Sequence, residues 1–324
     1  MKAVFLDYGT VDAGDLDARR LMDSVSSVTL YDFATPDTVV PRLKGAEAAL
    51  VNKVRLGPAE FAALPDLRYV GLAATGADNV DLDAAAHHRI TVTNIRDYCS
   101  HSVAQHVFAV LLALTRRLDA ARATVSEGRW RTPQRDGARS GVPVTGIRDL
   151  QGLVIGLVGY GALARAVEAT ARHFGMTVLV AESHGGAAAG RERVAFDALL
   201  AQSDVLSLHC PLTAHTRNLI DRHVLRQLKP GAILINTARG GLVDSVALAD
   251  ALRDGHLAGA AIDVLPSEPP PADEPLLNVD LPNLILTPHV AWASQTARQR
   301  ALDSVAANLL AFRSGSPVSV VSSS

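Results

Sequence analysis

Three stretches in the second half of the chain place a polar or ionisable side chain just after an apolar run. They are Ile235-Asn236-Thr237-Ala238-Arg239-Gly240-Gly241, Ala261-Ile262-Asp263-Val264-Leu265-Pro266-Ser267-Glu268-Pro269 and Leu286-Thr287-Pro288-His289-Val290-Ala291. The planar guanidinium of Arg239 can grip a carboxylate in a two-pronged fork, a geometry that a lysine ammonium lacks. The His289 imidazole belongs to the side-chain type that titrates near neutrality, so it can hand a proton to a carbonyl oxygen and take it back. A carboxylate such as Glu268 beside an imidazole favours the protonated ring. Taken singly, each has an ordinary explanation. A histidine in a chain with eleven of them is ordinarily a surface or core-filling side chain. An arginine among glycines is ordinarily a solvated charge, and Glu268 stands in a proline-rich run that reads equally well as linker. It is their joint occurrence after successive strands that points to a site.

Upstream of these stretches, Leu153-Val154-Ile155-Gly156-Leu157-Val158 runs straight into Gly159-Tyr160-Gly161-Ala162-Leu163-Ala164 and then a helix-like segment, Arg165 to Phe174. This is G-x-G-x-x-A in strand-turn-helix context. Gly159 allows the tight turn, Gly161 lets backbone approach a pyrophosphate, and a small residue at 164 permits close helix-strand packing, while the helix N-terminus attracts phosphate. Glu182 ends the next strand, about twenty residues further on, where an acid takes the ribose hydroxyls and repels a 2′-phosphate. The expected cofactor is therefore NAD. Arg191 and Arg193, just downstream, are cations that could still meet a phosphate.

The elements that must position these residues follow from hydrophobic patterning. Short apolar or β-branched runs at Lys2 to Leu6, Val28 to Tyr31, Ala48 to Val51, Tyr69 to Leu72 and Thr91 to Thr93 alternate with helix-like segments, which predicts a first parallel sheet. Ser102 to Leu118 is apolar on nearly every side, predicting one long buried helix and a domain boundary near Cys99. The polar stretch from Gly128 to Gly152 reads as an oligomer arm. A second parallel sheet is expected from Leu153 to Val158, Thr177 to Ala181, Val205 to His209, Ala232 to Asn236, Gly259 to Ile262 and Leu284 to Leu286. The helical Ser294 to Phe312 and an edge strand at Pro317 to Val321 should return to the first domain. The expected division is 1–98 plus 290–324 for one domain and 99–289 for the dinucleotide-binding one.

The 324 residues suffice for roughly two domains. With 48% hydrophobic and 20% charged residues, disorder and fibrous architectures are out. Thirty-one basic against thirty-three acidic residues leave a net charge of -2, too little field to hold nucleic acid or an anionic membrane, so a small-molecule partner is expected. The longest apolar run, Val107 to Leu114, is well short of a membrane span, and no signal peptide is evident. Cys99 and Cys210 lack metal-ligand spacing or a disulfide pattern. A cytoplasmic protein without a metal is the expectation.

Taken together, the fingerprint and the three later stretches resemble the D-2-hydroxyacid dehydrogenase family over essentially the whole chain. The resemblance implies an α/β protein of two doubly wound parallel-sheet domains, a flavodoxin-like substrate domain and a Rossmann NAD-binding domain, with an active-site cleft between them. It implies catalytic roles for Arg239 on the substrate carboxylate and carbonyl, for His289 as acid/base, and for Glu268 as the group holding the imidazole. Positions expected to line the dinucleotide are Thr75, Gly159, Gly161, Ala162, Leu163, Glu182, Cys210, Pro211, Thr237, Ala238, Arg239, Asp263, His289 and Ala291, with Asp263 near the nicotinamide amide. A nucleophilic Cys210 is the competing idea, but no adjacent base is evident. Asn52, Lys53, Gly76 and Ala77 are the expected substrate contacts, together with Arg239. The Asn52-Lys53 pair, Ala74-Thr75-Gly76-Ala77-Asp78-Asn79-Val80-Asp81 and Ser102-Val103-Ala104-Gln105-His106 look most like the NAD-linked glycerate dehydrogenase (hydroxypyruvate reductase) branch. That branch implies a small 2-keto acid, hydroxypyruvate or glyoxylate, and its D-2-hydroxy acid, handled by a homodimer joined through the cofactor domains. Departures from the family pattern are Ala164 for the third glycine, glutamate for the commoner aspartate at 182, and Cys99-Ser100-His101. A formate dehydrogenase would pair its histidine with glutamine, against which Glu268 speaks. The other class of reading is a regulatory protein that binds NAD on the same fold without turnover, and a third is a family member acting on another substrate.

Overall fold

The computed structural model describes residues 1–130, 144–182 and 192–321, in two compact units. The first unit comprises Met1–Cys99 together with the segment from Ala293 on. Its strands are β1 (Lys2–Phe5), β2 (Ser27–Leu30), β3 (Ala48–Val51), β4 (Tyr69–Leu72) and β5 (Thr91–Thr93). They pair in parallel in the order β2-β1-β3-β4-β5, the flavodoxin-like arrangement. Every residue of β3 and β4 is buried, as expected for strands covered by helices on both faces. The helix Gln295–Arg313 belongs to this unit: Asn308 donates to the Asn94 carbonyl at 2.9 Å, and the Phe312 ring lies 4.8 Å from that of Tyr69. Where an edge strand was expected at Pro317 to Val321, the chain forms a single antiparallel bridge, Val320 to Thr93.

The second unit, Ser100–Trp292, contains β6 (Val154–Val158), β7 (Thr177–Val180), β8 (Val205–Leu208), β9 (Ala232–Asn236), β10 (Leu257–Ile262) and β11 (Leu284–Leu286). All pairs are parallel and the order is β11-β10-β9-β8-β6-β7. Beyond β7, Val194 makes one parallel bridge to Ala181. The outermost strand of a six-plus-one arrangement is thus reduced to one residue pair, and the order becomes that of a Rossmann sheet with its direction reversing between β6 and β8. Ligands of such sheets bind at the carboxyl ends of the strands beside that reversal.

One expected element is divided. The apolar segment does not run as a single helix to Leu118: a helix covers Ser100–Thr115, Arg117 turns left-handed at φ 54°, and a second helix covers Leu118–Ser126. The cause is the returning chain, since Arg148 donates its backbone N–H to the Thr115 carbonyl at 2.9 Å and Arg116 pairs with Asp149 at 2.8 Å. Of the stretch read as an oligomer arm, residues 131–143 lie outside the described residues, as does Arg191.

Candidate active site

The dinucleotide fingerprint opens at the end of β6. Gly159 has φ +89°, and a Cβ there would lie 2.6 Å from the Cys210 nitrogen, so only glycine lets the β6 turn pass this close to the chain leaving β8. Gly161 caps the helix Ala162–His173, whose first turn receives no side-chain cap, and a Cβ on Gly161 would meet nothing within 4 Å. Ala164 is fully buried, as close helix-sheet packing requires. Ala162 and Leu163 form the first turn beside this open space. Past β7, Glu182 is exposed and donates its N–H to the Val194 carbonyl at 2.9 Å. Nearby, Arg193 donates to the Ala181 carbonyl at 3.1 Å, and its guanidinium lies 6.0 Å from the Tyr160 ring centre.

After β8 come His209, Cys210 and Pro211. Burial holds the His209 imidazole down to about 4, and Ser207 is its hydrogen-bond partner at 2.9 Å. Burial also pushes the Cys210 thiol up, the opposite of what activates a nucleophile. Pro211 is exposed, its carbonyl accepting from the Thr216 hydroxyl at 2.7 Å.

The Arg239 loop leaves β9 through a buried asparagine. Asn236 donates from Nδ2 to the Arg239 carbonyl at 2.9 Å and accepts the Ala238 N–H at 3.0 Å, clamping residues 237–239 into a fixed turn. A Cβ on Gly240 would lie 2.0 Å from the Leu265 carbonyl carbon and 2.4 Å from the Pro266 nitrogen. Gly240 therefore allows the arginine loop to press against the segment carrying Glu268. That segment turns so that Glu268 Oε1 accepts from the Leu265 N–H at 3.2 Å, while Oε2 lies 2.5 Å from His289 Nδ1. His289 itself has φ 55°, a left-handed conformation costing a non-glycine residue about 1 kcal/mol or more.

Asp263 holds that conformation in place. It is 2% exposed at the end of β10. One oxygen accepts from Val290 N–H at 2.9 Å and the Thr287 hydroxyl at 2.5 Å; the other accepts from Ala291 N–H at 2.9 Å. Its own carbonyl accepts from His289 N–H at 2.8 Å. The structure thus gives this carboxylate a local task, fixing the histidine loop. Arg239, Glu268 and His289 come from three loops at the carboxyl ends of β9, β10 and β11, and the Gly240 contact and the Glu268–His289 bond draw those loops together.

In the first unit, Asn52 and Lys53 follow β3, and Thr75, Gly76 and Ala77 follow β4. The buried Asp7 carboxylate accepts N–H bonds from Asn52 at 2.9 Å, Lys53 at 2.6 Å and Val54 at 2.9 Å, and burial pushes its pKa up against those bonds. Asn94 donates to the Thr75 carbonyl at 2.7 Å, and Asn79 to the Val54 carbonyl at 2.8 Å, so both loops are held by buried or half-buried amides and acids.

Sequence reasoning missed Asp7, Asn236 and His106 as supports. Their partners are backbone groups or residues far along the chain, and only the periodic strand ends before Asp7 and Asn236 hinted at them. A dinucleotide fits the residues present. The Thr237 hydroxyl is buried without a hydrogen-bond partner, a state that normally marks a missing ligand or water. The uncapped helix N-terminus faces the open space at Gly161. Among the described residues no cluster of histidine, cysteine and acidic side chains could hold a metal ion, and no helix is long and apolar enough to cross a membrane.

Residues 108–291 match the family described as D-isomer specific 2-hydroxyacid dehydrogenase, NAD binding domain. The chain is 41% identical to the glycerate dehydrogenase of Methylorubrum extorquens over 99% of its own length and 98% of that protein's. It is 35% identical to the hydroxypyruvate reductase of Blautia hydrogenotrophica, over 99% of each. Among solved structures, the TT0316 protein of Thermus thermophilus superposes with a TM-score of 0.85 at 33% identity, covering 99% of this chain and 100% of that one.

Proposed function

The chain belongs to the D-isomer-specific 2-hydroxyacid dehydrogenase family and is a nicotinamide-dinucleotide-dependent 2-hydroxyacid dehydrogenase, and from that premise we propose that it reduces hydroxypyruvate or glyoxylate with NADH. The observation that carries this reading is the His289–Glu268 pair at 2.5 Å, set on a loop beside Arg239.

In the proposed mechanism, Arg239 takes the substrate carboxylate and orients its carbonyl, with the backbone N–H groups of Gly76 and Ala77 as further anion contacts. Asn52 and Lys53 complete the substrate contacts. A nicotinamide dinucleotide held by the fingerprint turn and the loops after β8 and β9 would supply hydride to the carbonyl carbon. His289 Nδ1 is engaged by Glu268, which assigns Nε2 the proton passed to the carbonyl oxygen, and the product is the 2-hydroxy acid. In oxidation the same nitrogen removes that proton. Glu268 keeps the ring oriented and stabilises its charged form.

The cofactor contacts we assign are Thr75, Gly159, Gly161, Ala162, Leu163, Cys210, Pro211, Thr237, Ala238, Asp263 and Ala291, beside Arg239 and His289. Glu182, exposed at the end of β7, supports NAD over NADP, because a carboxylate there accepts ribose hydroxyls and repels a phosphate. The substrate assignment draws support from the glycerate and hydroxypyruvate enzymes named above. We further assign the protein to the cytoplasm, in keeping with free Cys99 and Cys210. A homodimer through the second unit is supported by the exposed Leu118, Val125, Trp130 and Ile147 on and around the helix Leu118–Ser126.

The test is a panel of 2-keto acids assayed with NADH and NADPH by loss of reduced-cofactor absorbance. Fastest turnover is expected with hydroxypyruvate or glyoxylate and NADH. Efficient turnover confined to bulky apolar keto acids would overturn the substrate assignment.

A further inference from the structure

His106 lies in the helix Ser100–Thr115 with its side chain 18% exposed, outside the groups that would touch substrate or cofactor. Its Nε2 is 3.2 Å from the Thr287 hydroxyl and 3.8 Å from Asp263 Oδ1. The Thr287 hydroxyl has one proton and gives it to Asp263 at 2.5 Å, because an ionised carboxylate can only accept. The threonine oxygen must then accept from the histidine, which makes His106 Nε2 a donor. The chain of bonds runs from His106 through Thr287 to Asp263, and from Asp263 to the N–H groups of Val290 and Ala291, the two residues after His289.

We propose that His106 is a positioning residue for the acid/base histidine: its Nε2–H locks the Thr287–Asp263 pair, and through it the left-handed turn that presents His289 to Glu268. The proposal deepens the functional reading above and rests on it for its kinetic consequences. Its physical basis does not depend on substrate. Asp263 is a buried carboxylate whose described partners are two amides and a hydroxyl, and the imidazole N–H is the donor that fixes the orientation of that hydroxyl. Without it the threonine can rotate to other acceptors, the carboxylate loses a donor, and the strained turn at His289 loses the clamp that sustains it.

The test uses the full chain without ligand and compares wild type, His106→Gln, His106→Leu and Thr287→Val. Hydrogen–deuterium exchange over residues 287–292 reads the Val290 and Ala291 amides directly. His106→Leu should accelerate exchange there by ~10-fold or more, and His106→Gln, which keeps a side-chain N–H donor, should restore most of the protection. Thr287→Val should accelerate it as His106→Leu does, and the double variant should add little to either single one. With NADH and the best keto acid, kcat should fall ~10- to 100-fold in His106→Leu, a larger loss than any weakening of NADH binding. Wild-type exchange in His106→Leu, or equal loss in the Gln and Leu variants, overturns the proposal. Should His106→Leu not fold, Thr287→Val decides alone: wild-type exchange in it overturns the relay. The exchange measurement needs no substrate, so a chain that reduced no 2-keto acid would sink the functional reading alone.

Discussion

His289 is committed twice, by its ring to Glu268 and by its backbone to Asp263, and the two commitments separate in experiment. His289→Ala removes the proton carrier and leaves the fingerprint loop untouched. Turnover should drop by ~100- to 10,000-fold, far more than NADH affinity, as read by steady-state rates against fluorescence titration. Glu268→Gln keeps the shape of the pair and removes the charge that favours imidazolium. The rate of keto acid reduction should then fall ~10- to 100-fold at fixed pH, read by steady-state turnover with NADH. Glu182→Ala takes away the carboxylate at the ribose position, so the ratio of kcat/KM for NADH over NADPH should fall, and an unchanged ratio would remove Glu182 from the specificity argument.

Among the elements, the loops after β9 and β10 are coupled by the missing side chain of Gly240. Gly240→Ala would drive a methyl into the Leu265 carbonyl at 2.0 Å, and backbone cannot swing aside as a side chain can. We expect a loss of about 1–3 kcal/mol in stability by chemical denaturation, with a larger loss in kcat because Arg239 and Glu268 are displaced from each other. The strands themselves were legible in the sequence to within a residue or two, since runs such as Ala48 to Val51 and Ala232 to Ile235 are apolar throughout and each is followed by an asparagine. The break at Arg117 was not, because no glycine or proline marks it; it is imposed by Arg148 taking the Thr115 carbonyl from more than thirty residues away. For the same reason the acids that hold the loops escaped notice. Asp7 follows a strand as many acids do, and its role exists only because three amide N–H groups beyond β3 converge on it. Asp263 was visible as an acid at a strand end, but its partners, the amides and hydroxyl of residues 287–291, were not.

For the whole molecule, His209 ties stability to pH. Its imidazole titrates near 6.5 when unfolded and about 4 when buried, so between those values the unfolded chain binds more protons and stability falls as pH drops. Denaturation midpoints measured from pH 7 to pH 4 should decline less steeply in His209→Gln than in wild type. Light scattering should give a mass twice that of one chain, and replacing Leu118, Val125 and Trp130 by charged residues should halve it.

The first sheet is finished by the last helix. Tyr69 on β4 and Asn94 just past β5 wait for Phe312 and Asn308, and Asp15 waits for Arg298. During synthesis the contiguous second unit can therefore close while the first is still open on one side, its Tyr69 face bare until the helix Gln295–Arg313 has emerged. A nascent chain halted before Ala293 would hold the complete dinucleotide fingerprint beside an unfinished neighbour, and holdase chaperones would find their target on that bare face.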